Sequence, residues 1–103
     1  MESLTVIEDL IGFETVSRDS NLPLIEFVQN FLFDHGVDSR RVPSADGRKS
    51  NLIASVGPEV PGGIVLSGHT DVVPVDGQDW SRDPFAFHRR GDRWYGRGSC
   101  DMK

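Results

Sequence analysis

The run Gly63-Ile64-Val65-Leu66-Ser67-Gly68-His69 constrains the fold more than any other part of the chain. Its apolar triplet shows no alternation with polar residues, which is the pattern of a strand covered on both faces in an α/β sheet. Ser67, Gly68 and His69 then fall at the carboxyl end of that strand, where open α/β sheets usually keep their binding sites. An α/β fold and a functional role for the segment after Leu66 are the first two expectations.

The flanking patterns agree with that class. Ser3 to Phe13 carries Leu4, Ile7, Leu10 and Ile11 at helical spacing, with Ser3 placed as an N-cap. After the loop "ETVSRDSN", residues Leu22 to His35 set Ile25, Val28, Phe31 and Leu32 on one stripe. Pro23 lies in the first turn and Gly36 at the stop, so a helix is expected there. Short extended runs follow at "VDSRRV" and "NLIASVG", and with the 64–66 run they make three expected strands. Asp76 to Pro84 reads as loop. "FAFHRRGDRWY" reads as a hairpin about Gly91-Asp92, and "GRGSCDMK" as a glycine-rich loop entering a helix.

Charge and composition exclude several functions. The formal net charge is −5, whereas attraction to nucleic acid or anionic membranes needs a surplus of Lys and Arg. The acidic start "MESLTVIEDL" lacks the basic, then apolar, profile of a secretory signal, and no apolar run is long enough to span a bilayer. A cytoplasmic location is expected. Cys100 is the single cysteine, so an internal disulfide is excluded.

Within "SGHTDVVPVDGQDW" the chemistry concentrates on His69 and Asp71. Alone, His69 reads as a hydrogen-bonded histidine at a strand end. As a metal ligand it needs one ring nitrogen on the metal and the other donating to a carboxylate or carbonyl, and Asp71 is spaced to be that partner on the same side of an extended chain. One histidine does not hold a metal, and Asp101 is the best second ligand. Gly96 and Gly98 let the backbone before Asp101 approach a site closely. In isolation Asp101 reads as a helix cap; beside residues 67–74 it reads as a ligand.

The blocks "SGHTDVVPV", "WSRDPFAF" and "GDRWYGRGSCDMK", in this order and spacing, resemble the M20 metallopeptidase family of dinuclear-zinc amidohydrolases and exopeptidases. The opening "LIGFETVSRDSNLPLIEFV" and "GRKSNLIASVG" extend the resemblance over nearly the whole chain. It implies the N-terminal part, residues 1–103, of a zinc-exopeptidase-like catalytic domain with a mixed sheet flanked by helices, truncated before its inserted dimerisation domain and its C-terminal half. By the same resemblance His69 binds one of two divalent ions, Asp71 supports catalysis by orienting His69, and Asp101 bridges both ions. Zinc is the expected metal, with cobalt as an alternative. The general base and the remaining ligands fall beyond Lys103, so this chain alone is expected to be inactive.

The implied reaction is hydrolysis of a small N-acylated amino acid: removal of acetyl from N2-acetylornithine in arginine biosynthesis, by a homodimer. Desuccinylation of a diaminopimelate derivative or carboxypeptidase action is the alternative within the family. A non-enzymatic protein-binding module is the alternative of another class. Other features have plainer readings. Arg90-Gly91-Asp92 is a hairpin turn rather than an adhesion motif, Cys100 a small loop filler, His35 a helix-end residue and His88 a hairpin residue. Trp80, Pro84 and Phe85 pack a loop, and Arg97 either meets a substrate carboxylate or anchors its own loop.

Overall fold

A computed structural model describes residues 2–103. It is a small α/β structure of two helices and two antiparallel hairpins: α1 (Ser3–Gly12), α2 (Leu22–Asp34), β1 (Ser39–Pro43), β2 (Ser50–Ala54), β3 (His88–Arg90) and β4 (Arg93–Tyr95). The chain divides into two compact units. One contains the residues up to Asp19 together with His69–Lys103, and the other is Ser20–Gly68. No described helix is long and apolar enough to cross a membrane.

In the Ser20–Gly68 unit, α2 forms where its apolar stripe predicts. Pro23 sits in the first turn, where a missing N–H costs nothing. The helix ends because Gly36 adopts φ 75°, which lets the Gly36 N–H bond to Phe33 O (2.9 Å) and the Val37 N–H to Leu32 O (2.9 Å), a Schellman closure. Leu24 and Ile25 are buried, while Val28, Phe31 and Leu32 are only half covered. The hairpin β1–β2 pairs Ser39 with Ala54 and Pro43 with Ser50.

Asn21 ties the start of α2 to this hairpin. Its side-chain NH₂ donates to Ser50 O (2.9 Å), and the Ser50 N–H donates to its Oδ1 (2.9 Å), so one amide side chain mimics a neighbouring strand residue. Ser50 is buried, and water does not readily replace these bonds. Asn21→Ala should therefore cost about 1 to 3 kcal/mol, read as a lower urea midpoint with an unchanged slope. An unshifted midpoint would show that the pair contributes nothing net.

In the other unit, Ile11 of α1 is fully buried with Val16 and Val72, whereas Leu4 is 45% exposed. The hairpin β3–β4 forms about Gly91-Asp92 as expected, pairing Arg90 with Arg93. Gly91 has φ 66° and, among the described residues, no non-glycine residue has positive φ, the sign pattern of a type II′ turn. Phe87 stacks on Trp94 at 4.9 Å and His88 on Tyr95 at 5.3 Å, and these ring pairs fix the hairpin's register.

Four expectations are corrected. Residues 64–66 form no strand: Ile64, Val65 and Leu66 are 89, 91 and 93% exposed. A strand needs a backbone partner, but β1 and β2 pair only with each other, and Gly62 and Gly63, at φ 97° and 115°, turn the chain just before the triplet. The described strands accordingly make two separate two-stranded sheets, not one mixed sheet. Residues after Gly98 form a wide turn closed by the Lys103 N–H to Gly98 O (3.0 Å), not the start of a helix. Ser3 is the first residue of α1 rather than its cap, which is Glu2 and makes no side-chain capping bond.

Candidate metal centre

The loop "ETVS" lies alongside residues 70–72. The Val72 N–H donates to Thr15 O (2.9 Å) and the Ser17 N–H to Val72 O (3.0 Å), making a parallel bridge between Val16 and Val72. Both valines are buried, and the buried Thr15 hydroxyl adds a bond to Thr70 O (2.5 Å). Alternation along this extended stretch sends Val72 inward and leaves His69 and Asp71 outward, on one side.

His69 then stands between two carboxylates. Its Nδ1 lies 3.0 Å from Asp71 Oδ1 and 3.1 Å from Asp71 O, and its Nε2 lies 2.9 Å from Asp101 Oδ1. Asp101 reaches that position because the 96–98 backbone packs closely. A Cβ on Gly98 would come within 2.9 Å of Val72 Cγ1, and one on Gly96 within 2.7 Å of Ile11 Cγ2. Lys103 pins the far end of the turn, its Nζ donating to Phe13 O at 2.6 Å, and desolvation pulls its amine down to about 8. All three residues singled out in the sequence, separated by up to 32 positions, come together.

The electrostatics follow from those contacts. The hydrogen bond to Asp101, then that to the Asp71 backbone and the charges of both aspartates, hold the His69 imidazole above its ordinary 6.5. The Ser17 hydroxyl, donating to Asp71 Oδ2 at 2.6 Å, is the main cause holding Asp71 below the usual carboxylate range, with His69 adding to it. A raised folded-state value means that the protonated ring contributes stability below the unfolded pKa, and that this contribution is lost as pH rises through the folded one. An NMR titration of His69 should give a midpoint above 6.5 that falls in Asp101→Asn. A midpoint that Asp101→Asn leaves in place would disprove the pairing.

The donor set fits part of a metal site. A nitrogen and an oxygen bound to one tetrahedral zinc lie roughly 3.4 Å apart, against 2.9 Å here. Asp101 is 85% exposed and His69 49%, so the half-ångström opening meets no packed wall. Among the described residues no group of three or more His, Cys, Asp or Glu side chains is arranged to hold a metal ion. His69 Nε2 and an Asp101 oxygen are two groups able to coordinate, fewer than a metal ion needs.

The three residues border a groove of about 730 Å³ that also takes in Ser17, Trp80 and Arg97. Arg97 bonds to Gln78 Oε1, and its guanidinium stands 5.2 Å over the Trp80 ring, so loop anchoring is the role it has here. Cys100 is exposed on the same groove. Sequence reasoning overlooked Ser17 and Thr15 by passing "ETVS" as plain loop. The signal was present: two hydroxyl residues flanking a β-branched one suit a short extended segment.

Comparison with known proteins bears out the resemblance read from the sequence blocks. Residues 65–103 match the model of peptidase family M20/M25/M40. The chain is 42% identical over 102 residues to the acetylornithine deacetylase of Klebsiella pneumoniae (strain 342), covering 98% of this chain and 26% of that protein. It is 42% identical over 85 residues to the acetylornithine deacetylase of Pasteurella multocida (strain Pm70), and 44% identical over 85 residues to that of Edwardsiella ictaluri (strain 93-146). Each of these alignments covers 82% of this chain and 22% of the relative. The chain thus spans about a quarter of the length of the curated relatives it matches.

Proposed function

We propose that this chain is the N-terminal, metal-facing part of an M20-type catalytic domain that hydrolyses the amide of an N-acylated amino acid, with N2-acetylornithine as substrate and ornithine and acetate as products. The observation that carries this reading is His69 held between Asp71 and Asp101. The identity to proteins named acetylornithine deacetylase over 98% of the chain supports the choice of substrate.

His69 Nε2 and the Asp101 carboxylate would hold metal in this reading, and Asp71 orients the ring. Two divalent ions, zinc by preference and cobalt as the alternative, supply charge relief at the amide carbonyl and a water acidic enough to attack it near neutral pH. The chain's own residues set the conditions. Asp71 fixes the proton on Nδ1, which leaves the Nε2 lone pair for a ligand and raises its basicity. Asp101 offers two oxygens, so its carboxylate would suit holding two ions. The proton shared by Nε2 and Asp101 must leave before metal enters, so affinity should rise with pH.

Two donors leave most of a metal's coordination to water, and general-base catalysis, worth roughly 10²- to 10⁴-fold, has no group assigned among the described residues. The 103-residue chain is accordingly inactive by itself in this reading. The complete enzyme carries an inserted dimerisation domain, a Glu-Glu pair and a distal histidine beyond Lys103, works as a homodimer in the cytoplasm and serves arginine biosynthesis.

The test begins with the coding DNA downstream of Lys103. An open frame with the Glu-Glu pair and distal histidine is expected, and its product should release acetate from N2-acetylornithine with a zinc or cobalt requirement. Preference for a succinylated diamino acid or a peptide would replace the substrate while keeping the family. A product that binds no metal and hydrolyses none of these would overturn the proposal.

A further inference from the structure

We infer that Ser17 is a positioning residue for His69, acting through Asp71; the inference rests on the metal-site reading above. Asp71 gives each carboxylate oxygen a separate partner. Oδ2 accepts the Ser17 hydroxyl at 2.6 Å, and Oδ1 faces His69 Nδ1 at 3.0 Å. A carboxylate tied at one oxygen cannot swing about its side-chain bond without carrying the other oxygen off its partner. Asp71 is half exposed, so without Ser17 water would compete for both oxygens and the ring would lose its fixed acceptor.

Ser17 is well placed to act as an anchor. Its N–H is bonded to Val72 O, next to the bridge of two buried valines and the Thr15–Thr70 bond. The hydroxyl also lies 3.3 Å from Val72 O, a longer alternative to the carboxylate. A continuous line therefore runs from a buried backbone bridge through a hydroxyl, a carboxylate and an imidazole to Asp101. Ser17 borders the groove but needs no contact with metal or substrate to have its effect. Ser17→Ala removes the hydroxyl and keeps the N–H bond to Val72 O, while Ser17→Thr keeps the hydroxyl as well.

Histidine-selective ¹⁵N NMR on the metal-free chain at about pH 9, where imidazole is neutral, is the first readout. The parent should hold its ring proton mainly on Nδ1, Ser17→Ala should move the population towards Nε2–H, and Ser17→Thr should restore it. Zinc titration of the protein extended through its downstream frame, against a chromophoric chelator, is the second readout. Ser17→Ala should weaken affinity about three- to tenfold, less than the 10- to 100-fold of a direct partner of a ligand, with Ser17→Thr within about twofold of the parent. If Ser17→Ala loses its dispersed amide spectrum, Ser17→Thr decides: recovery of both readouts supports the role, and failure to recover either overturns it. A Ser17→Ala protein with the parent's tautomer and zinc affinity also overturns it. A parent that shows the Nδ1 tautomer and its dependence on Ser17 but binds no zinc leaves this inference standing and sinks the metal reading instead.

Discussion

Replacing His69 by Ala in the protein encoded by this chain and its downstream frame is expected to lower kcat for acetate release by roughly 10³-fold or more, with loss of bound metal. The size follows from its position. His69 Nε2 stands 2.9 Å from Asp101, and in the proposed reading losing it removes both a ligand and the link between Asp71 and the site. Asp71→Asn should cost less, about 10- to 100-fold, because the amide can still accept from Nδ1 but no longer supplies the charge that makes the ring a strong donor. Metal content measured beside kcat separates the two variants: His69→Ala should be depleted, and Asp71→Asn should be refilled by added zinc. Equal, modest losses in both would mean that His69 is a structural histidine.

Gly98→Ala should be the most disruptive single change to the unit that carries the site. Gly98 has φ 93°, outside the range side chains favour, and an added Cβ would meet both Val72 Cγ1 and Lys103 Cε at 2.9 Å. Val72 is buried and paired to the 15–17 backbone, so it cannot retreat. Strain and overpacking together put the cost at roughly 2 to 4 kcal/mol, a large share of what a small unit has. Gly96→Ala carries the overlap with Ile11 at 2.7 Å but no positive φ, and should cost less, about 1 to 3 kcal/mol. Urea denaturation followed by tryptophan fluorescence reads both, since Trp80 and Trp94 belong to this unit. A Gly98→Ala midpoint equal to the parent's would contradict the close packing that brings Asp101 to His69.

What was legible in the sequence depended on whether the signal was local. The α2 helix is written in its own stripe, its Pro23 and its Gly36, and the β3–β4 hairpin in Gly91 and the flanking aromatics. Each needs only neighbours within a few residues. The 64–66 run has the composition of a buried strand, but burial depends on partners far along the chain, and the described residues provide none. The site divides the same way. His69 and Asp71 are two residues apart on one side of an extended chain, so their pairing follows from alternation. The approach of Asp101 depends on glycines packed against Val72 and Ile11; Gly96 and Gly98 signalled a close backbone approach, and the family resemblance added the bridging role. Ser17 escaped notice because its partner lies 54 positions away.

The central claim is that His69 and Asp101 bind the same metal ion. Anomalous diffraction at the zinc edge, from crystals of the protein extended through its downstream frame and grown with zinc, tests it directly. The account predicts a peak within about 2.0 to 2.2 Å of both His69 Nε2 and an Asp101 oxygen, with Asp71 on Nδ1 and outside the coordination shell. Zinc bound elsewhere, with His69 still closed on Asp101 by a direct hydrogen bond, would contradict it.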